Sequence, residues 1–233
     1  MSGWTLTPEE ATALLLSLRV SCAATLASLP LALLTAQALA RWRFPGREAL
    51  NVLVHLPLVL PPVVTGYLLL MTFGTRGPVG GVLQDCCGIV FAFRWTGAAL
   101  AAAVMAFPLI VRPIRLSIEA VPRHLEESAA DLGARPSLAF LTVTLPLALP
   151  GIVAGAILGF ARAMGEFGAT ITFVSNIPGE TQTLPSAIHV LLQIPGGEGA
   201  ALRLVGISIL VSTLAIILSE ILGRRAARRI AGR

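Results

Sequence analysis

Apolar residues fill five long stretches of this chain, at about 11–40, 50–73, 89–111, 141–174 and 202–222, and charged residues gather between them. Each stretch offers about the 20 residues that a helix needs to cross a hydrocarbon core of about 30 Å. The pattern predicts an all-α fold, a polytopic transmembrane helical bundle of about five spans, in a single domain covering 1–233. The first and fourth stretches exceed one crossing, so they are expected to project or to bend.

Composition agrees with that pattern. Hydrophobic residues make up 55% of the chain and charged residues 12%, the balance of an integral membrane protein. All 17 basic residues are Arg. A nucleic-acid partner would need that charge clustered on a soluble surface beside polar or aromatic readers, so none is expected. The Arg residues instead alternate between loops. Arg41, Arg43 and Arg47 follow the first stretch, Arg112, Arg115, Arg123 and Arg135 the third, and Arg224, Arg225, Arg228, Arg229 and Arg233 form the tail. The opposite loops hold Arg76, with Arg94 and Arg203 at their edges. By the positive-inside rule the N-terminus lies outside, the C-terminus lies in the cytoplasm, and so does the loop at 112–139. Trp42 and Phe44 mark the cytoplasmic interface, and Arg19 is expected to snorkel toward the outer headgroups. Glu9 and Glu10 precede the first stretch and no basic residue comes before Arg19, so this stretch is expected to stay in the membrane rather than to be a cleaved leader.

The segment from Arg123 to Asp131 is too charged for lipid. Pro122 suits the first turn of a helix, and Gly133 followed by Ala134-Arg135-Pro136 suits its end and a restart. A short amphipathic helix of about three turns is expected. Leu125, Ala129 and Leu132 share one face; Arg123, Glu127 and Asp131 share another. Such a helix in an aqueous loop calls for a groove in another protein.

Three features break the apolar stretches. Pro57, Pro61 and Pro62 must kink or open the second, because each removes a donor and crowds the preceding turn. Freed carbonyls there are tolerated in protein or beside water. Two readings fit: a bend lining a permeation path with Thr65 as a polar group, or a packing kink. In the fourth stretch Gly151, Gly155 and Gly159 make a small-residue face for close packing within the subunit or across a dimer. Arg162 and Glu166, one turn apart, can pair and so lessen the cost of burial. That pair, with Thr170 beyond it, either belongs to the path or locks helix packing.

The remaining polar segments are simpler. Residues 74–88 form a Gly-rich outer loop. Cys86 and Cys87 lie in it and are expected as plain thiols, a vicinal or intermolecular disulfide being the alternative. Leu184, Ile188, Leu191 and Leu192 give a helical apolar edge after Pro185, read as interfacial. His189 has no second ligand spaced with it, and no metal or cofactor is expected. A Walker A pattern, a zinc-type His and Glu arrangement and a Ser nucleophile elbow are all missing, so the chain is not expected to be an enzyme.

The spacing of Glu127, Ser128, Ala129, Gly133, Val143, Leu145 and Pro146 resembles the signature of ABC importer permeases: Glu-Ala-Ala, three residues, Gly, nine residues, then Ile-x-Leu-Pro. Ser128 for Ala and Val143 for Ile are the departures. The resemblance implies that Leu125, Glu127, Ser128, Ala129, Leu132 and Gly133 belong to a coupling helix that docks on a separate ATP-binding subunit. LPLVLPPVVTGYLLL from Leu56, GEFGAT from Gly165 and TQTLPSAI from Thr181 look like the molybdate-type permease subunit of bacterial ABC importers. That likeness implies an inner-membrane assembly of two copies of this chain, two ATP-binding subunits and a periplasmic binding protein that delivers molybdate, with membrane lipid around it. Sulfate, thiosulfate or tungstate permeases are the nearby alternative. A secondary anion transporter is the alternative of another class, and it would show a longer chain with internal repeats. On this reading Thr65, Arg162, Glu166 and Thr170 line the path.

Overall fold

The computed structural model describes residues 6–231, apart from the side chains of residues 219, 220 and 222–231. The Arg residues of the tail fall outside the described side chains. The described residues form helices and contain no strand.

Helix α1 (Pro8–Arg41) starts from a capping box in which Thr7 and Glu10 bond each other's backbone N–H. Helix α5 (Trp95–Ala120) is the centre of the bundle. Of its most apolar 18 residues 61% are buried, against 39% for α1, and it packs on both α1 and α8 (Leu145–Met164). Its buried alanines Ala98, Ala99, Ala101, Ala102 and Ala106 present little side chain, so neighbouring backbones approach closely. Arg19 of α1 lies over the Trp95 ring, its guanidinium carbon 3.8 Å from the centroid, so a cation–π contact holds it to α5.

Among the described residues, four helical segments are long and apolar enough to cross a membrane: α1, α5, Pro136–Met164 and Glu198–Leu218. The pair α2 (Arg47–Val59) and α3 (Pro62–Phe73) makes a fifth if it counts as one span, but its axes differ by 116°. The expected kink is therefore a full break at Leu60-Pro61. Leu60 and Pro61 both adopt extended ψ angles, since Pro62 and Pro61 disfavour helix in the residues before them.

Several boundaries differ from the sequence reading. Helix α5 begins at Trp95 rather than 89 and runs to Ala120, through Pro108 and Pro113, so the polar loop starts at Val121 rather than 112. Ile110, Ile114 and Ile118 explain the extension: they recur every four residues and each is fully buried. Arg115 adds a pair to Glu119 at 2.8 Å and donates to Asn51 of α2 at 3.1 Å. The loop at 74–88 holds a helix, α4 (Pro78–Cys87), which ends on Gly88 in a left-handed conformation. Cys86 and Cys87 are thiols with Sγ atoms 2.9 Å apart, and their hydrogen bond pushes the Cys87 thiol up from its ordinary pKa.

The fourth stretch is three pieces. Helix α7 (Pro136–Ala139) passes through a π turn (Phe140–Thr144) into α8, which stops at Met164. After Gly165-Glu166-Phe167, a separate helix α9 (Gly168–Val174) begins. The glycine face of α8 packs inside the subunit: a Cβ on Gly155 would lie 2.7 Å from the Ile110 carbonyl oxygen of α5. Helix α10 (Leu184–Leu191) is tied into the bundle rather than lying as an interfacial edge. Leu184 and Ala187 pack with Ala13 of α1 and Leu204 of α11 (Glu198–Ala231), and the Leu184 N–H donates to Ser17 Oγ at 2.6 Å. Leu192 remains exposed. Arg203 of α11 completes this end by donating to Glu10 at 2.8 Å.

Candidate functional site

The polar loop forms helix α6 (Arg123–Asp131), two and a half turns long. Pro122 is its N-cap rather than its first helical residue, and its extended conformation turns the chain out of α5. The other end is a Schellman motif. Gly133 N–H donates to Ala130 C=O at 2.8 Å and Ala134 N–H to Ala129 C=O at 2.9 Å. Gly133 has φ +85° and a Cβ there would meet nothing within 4 Å, so conformation and not space requires glycine. The interval from Glu127 to Gly133 is thus the interval from the middle of a short helix to its stop.

The face expected to be apolar divides along its length. Leu125 and Ala129 are half-buried against the bundle, while Leu132 at the far end is 90% exposed. Glu127, Ser128 and Asp131 are exposed, and Ser128 Oγ donates back to His124 C=O at 2.8 Å. At the tip of α6 an exposed leucine thus stands beside a row of solvated polar groups.

Sequence reasoning missed the contacts that hold α6 in place. Glu126 Oε1 accepts a hydrogen bond from Thr144 Oγ1 at 2.6 Å and lies 3.3 Å from Arg41 Nη2, which also donates to Val121 C=O at 2.7 Å. Arg41, Glu126 and Thr144 border a cleft of about 370 Å³ together with Gln37, Arg123 and Glu127. Thr144 carried a signal, a hydroxyl within an apolar run, and it is 1% exposed.

The second group of expected residues gathers where two broken helices meet. Arg162 Nη1 pairs with Glu166 Oε2 at 2.7 Å, and Glu166 Oε1 accepts from Ala169 N–H at 2.8 Å. Glu166, with a side chain only 2% exposed, therefore bridges the end of α8 and the first turn of α9 across Gly165. Helix α3 packs directly on α9. A Cβ on Gly66 would lie 2.5 Å from Ala169 O, and one on Gly168 would lie 2.7 Å from Pro62 Cβ. Thr65, on the packed side of α3, is buried with no hydrogen-bond partner for its hydroxyl, and Thr170 of α9 is buried too. The four residues thus occupy one region, the junction of the break at Leu60-Pro61 with the break at 165–167. His189 lies at its edge, its ring 5.0 Å from that of Phe167. Among the described residues no cluster of three His, Cys, Asp or Glu side chains could hold a metal ion.

Comparison with known proteins gives a consistent result. Residues 28–228 match the model of the family described as "Binding-protein-dependent transport system inner membrane component". The chain is 57% identical to the molybdenum transport system permease protein of Escherichia coli K12 over 228 residues, covering 98% of this chain and 99% of that one. It is 51% identical to the corresponding permease of Haemophilus influenzae, over 95% of this chain and 96% of the other. Among solved structures it superposes on a bacterial ABC transporter involved in the import of alginate, with a TM-score of 0.75 and 18% identity, over 94% of this chain and 80% of that chain. At that identity the likeness is one of fold.

Proposed function

The chain belongs to the family of binding-protein-dependent transport system inner membrane components, and from that footing we propose that it is the permease subunit of an ATP-driven molybdate importer. The observation that carries the substrate is its 57% identity, along nearly the whole chain, to a molybdenum permease. The observation that supports an ATPase partner is α6, a capped helix whose last leucine has nothing to cover it.

On this reading α6 lies in the cytoplasm with Leu125, Glu127, Ser128, Ala129, Leu132 and Gly133 in or beside the cleft of a separate ATP-binding subunit. The N-terminus is outside and the C-terminus is cytoplasmic. A second copy of this chain completes the pore, and the exposed row Val59, Val63, Tyr67 and Met71 at the bend of α2 and α3 supplies an apolar surface for it. Ile209, Leu210, Ile216 and Ile217 of α11 face lipid. An external binding protein delivers molybdate. Nucleotide binding draws the two α6 helices together and opens the cavity outward; hydrolysis returns it inward.

The path runs past Thr65, Arg162, Glu166 and Thr170. Glu166 neutralises Arg162, so no bare cation waits to trap an oxyanion, and passage through a weak path suits a system whose binding protein selects the substrate beforehand. The experiment is uptake of labelled molybdate by vesicles holding permease, ATP-binding subunit and binding protein, in competition with tungstate and sulfate. Molybdate is expected to compete best against the label, with sulfate ineffective. Strong competition by sulfate would move the assignment to the sulfate permeases.

A further inference from the structure

The reading of α6 as an ATPase-docking helix leaves open how its movement enters the bundle, and the geometry points to one joint. We propose that Glu126 and Arg41, with Thr144, form the mechanical joint through which α6 moves α1 and α8; this rests on the docking role of α6.

Helix α6 is held along about its first two turns, where Leu125, Glu126 and Ala129 are half-buried, whereas Asp131, Leu132 and Gly133 at its far end are all exposed. A hydrogen-bonded helix held at its base and loaded at its tip transmits force as a lever, so the base contacts decide which helices follow. Those contacts converge on two groups. One oxygen of Glu126 meets both Arg41, the last residue of α1, and Thr144, the last residue of the π turn leading into α8. The same Arg41 nitrogen binds Val121 C=O, the cap of α5. Four helices are thereby joined through one carboxylate and one guanidinium.

The joint is also shielded. The Arg41 side chain is 10% exposed and Glu126 26%, whereas the pair Arg115 and Glu119, 27% and 37% exposed, joins residues of a single helix and reaches one other helix, through Arg115 and Asn51 of α2. Burial strengthens the first pair and leaves any unpaired member costly. The pull also falls at the π turn, the one stretch between Pro136 and Met164 that leaves α-helical geometry, where α8 can turn without unravelling.

The test uses the complete transporter in proteoliposomes and reads molybdate taken up per ATP hydrolysed, a ratio that a purely structural defect does not move. Thr144→Val removes the hydroxyl at nearly constant volume, and Thr144→Ser keeps it. The ratio is expected to fall at least several-fold in Thr144→Val and to stay near wild type in Thr144→Ser. Glu126→Gln and Arg41→Gln should each lower it about tenfold, and the double variant should be no worse than either, as for residues acting as one unit. All variants should retain the ATP-binding subunit on purification. A wild-type ratio in Glu126→Gln and Thr144→Val, or losses that multiply in the double variant, would overturn the joint. Failure of the wild-type permease to retain the ATP-binding subunit would instead sink the docking role of α6.

Discussion

Helix α6 and the junction of α3 with α9 are both short helical pieces set off by glycine and proline, yet they are specified in opposite ways. Helix α6 is defined locally: Pro122 starts it, Gly133 stops it, and nothing within 4 Å of Gly133 dictates its identity. The junction is defined by what lies across it. Gly66 and Gly168 are glycines because Ala169 and Pro62 occupy the space a side chain would need, and Glu166 is buried with its charge neutralised by Arg162 and its Oε1 bonded by the Ala169 N–H. A helix at the surface carries its own instructions, whereas a break inside a bundle takes them from its neighbours. That difference orders the effects of substitution on the stability of the permease itself.

The largest loss is expected at Glu166. Glu166→Ala leaves Arg162 and the Ala169 N–H without their partner, and breaking a buried pair costs about 3–5 kcal/mol, toward the lower end here because Arg162 is partly exposed. The melting midpoint of the purified permease should drop sharply; an unchanged midpoint would remove the bridge between α8 and α9. Next comes Gly66→Leu, whose Cβ would lie 2.5 Å from Ala169 O, so overpacking of about 1–3 kcal/mol is expected in the same measurement. If the variant melts like the wild type, α3 and α9 do not pack backbone to backbone.

Effects at α6 should be smaller and local. Gly133→Ala meets no obstruction but must adopt φ +85°, a strain of about 1–2 kcal/mol. Amide exchange should quicken within α6 while the global midpoint holds; a global shift would mean that α6 is part of the cooperative core. Leu132→Asp should leave stability unchanged, because Leu132 is 90% exposed, while abolishing retention of the ATP-binding subunit. Retention of that subunit at wild-type level would show that Leu132 lies outside the interface.

The same contrast explains how much could be read from the residues. The all-α bundle, the α6 boundaries and the pairing of Arg162 with Glu166 follow from short-range rules: apolar length, capping and one-turn spacing. The end of α5 did not, because Pro113 and Arg112 signal a stop that the buried faces of Ile114 and Ile118 override. Helix α4 was hidden by its glycines. The break at Leu60-Pro61 was visible as three prolines, but its angle of 116° depends on α9, more than 100 residues away in sequence. Glu126 escaped notice beside Glu127 for a related reason: its partners, Arg41 and Thr144, come from two different helices.

Uptake of labelled molybdate into vesicles decides whether this permease works through a separate ATPase, as the docking of α6 requires. Vesicles loaded with ATP and holding the permease, with binding protein outside, should accumulate molybdate only when the ATP-binding subunit is present. Accumulation at the full rate from permease and binding protein alone would mean that no ATPase drives transport and that α6 has no such partner.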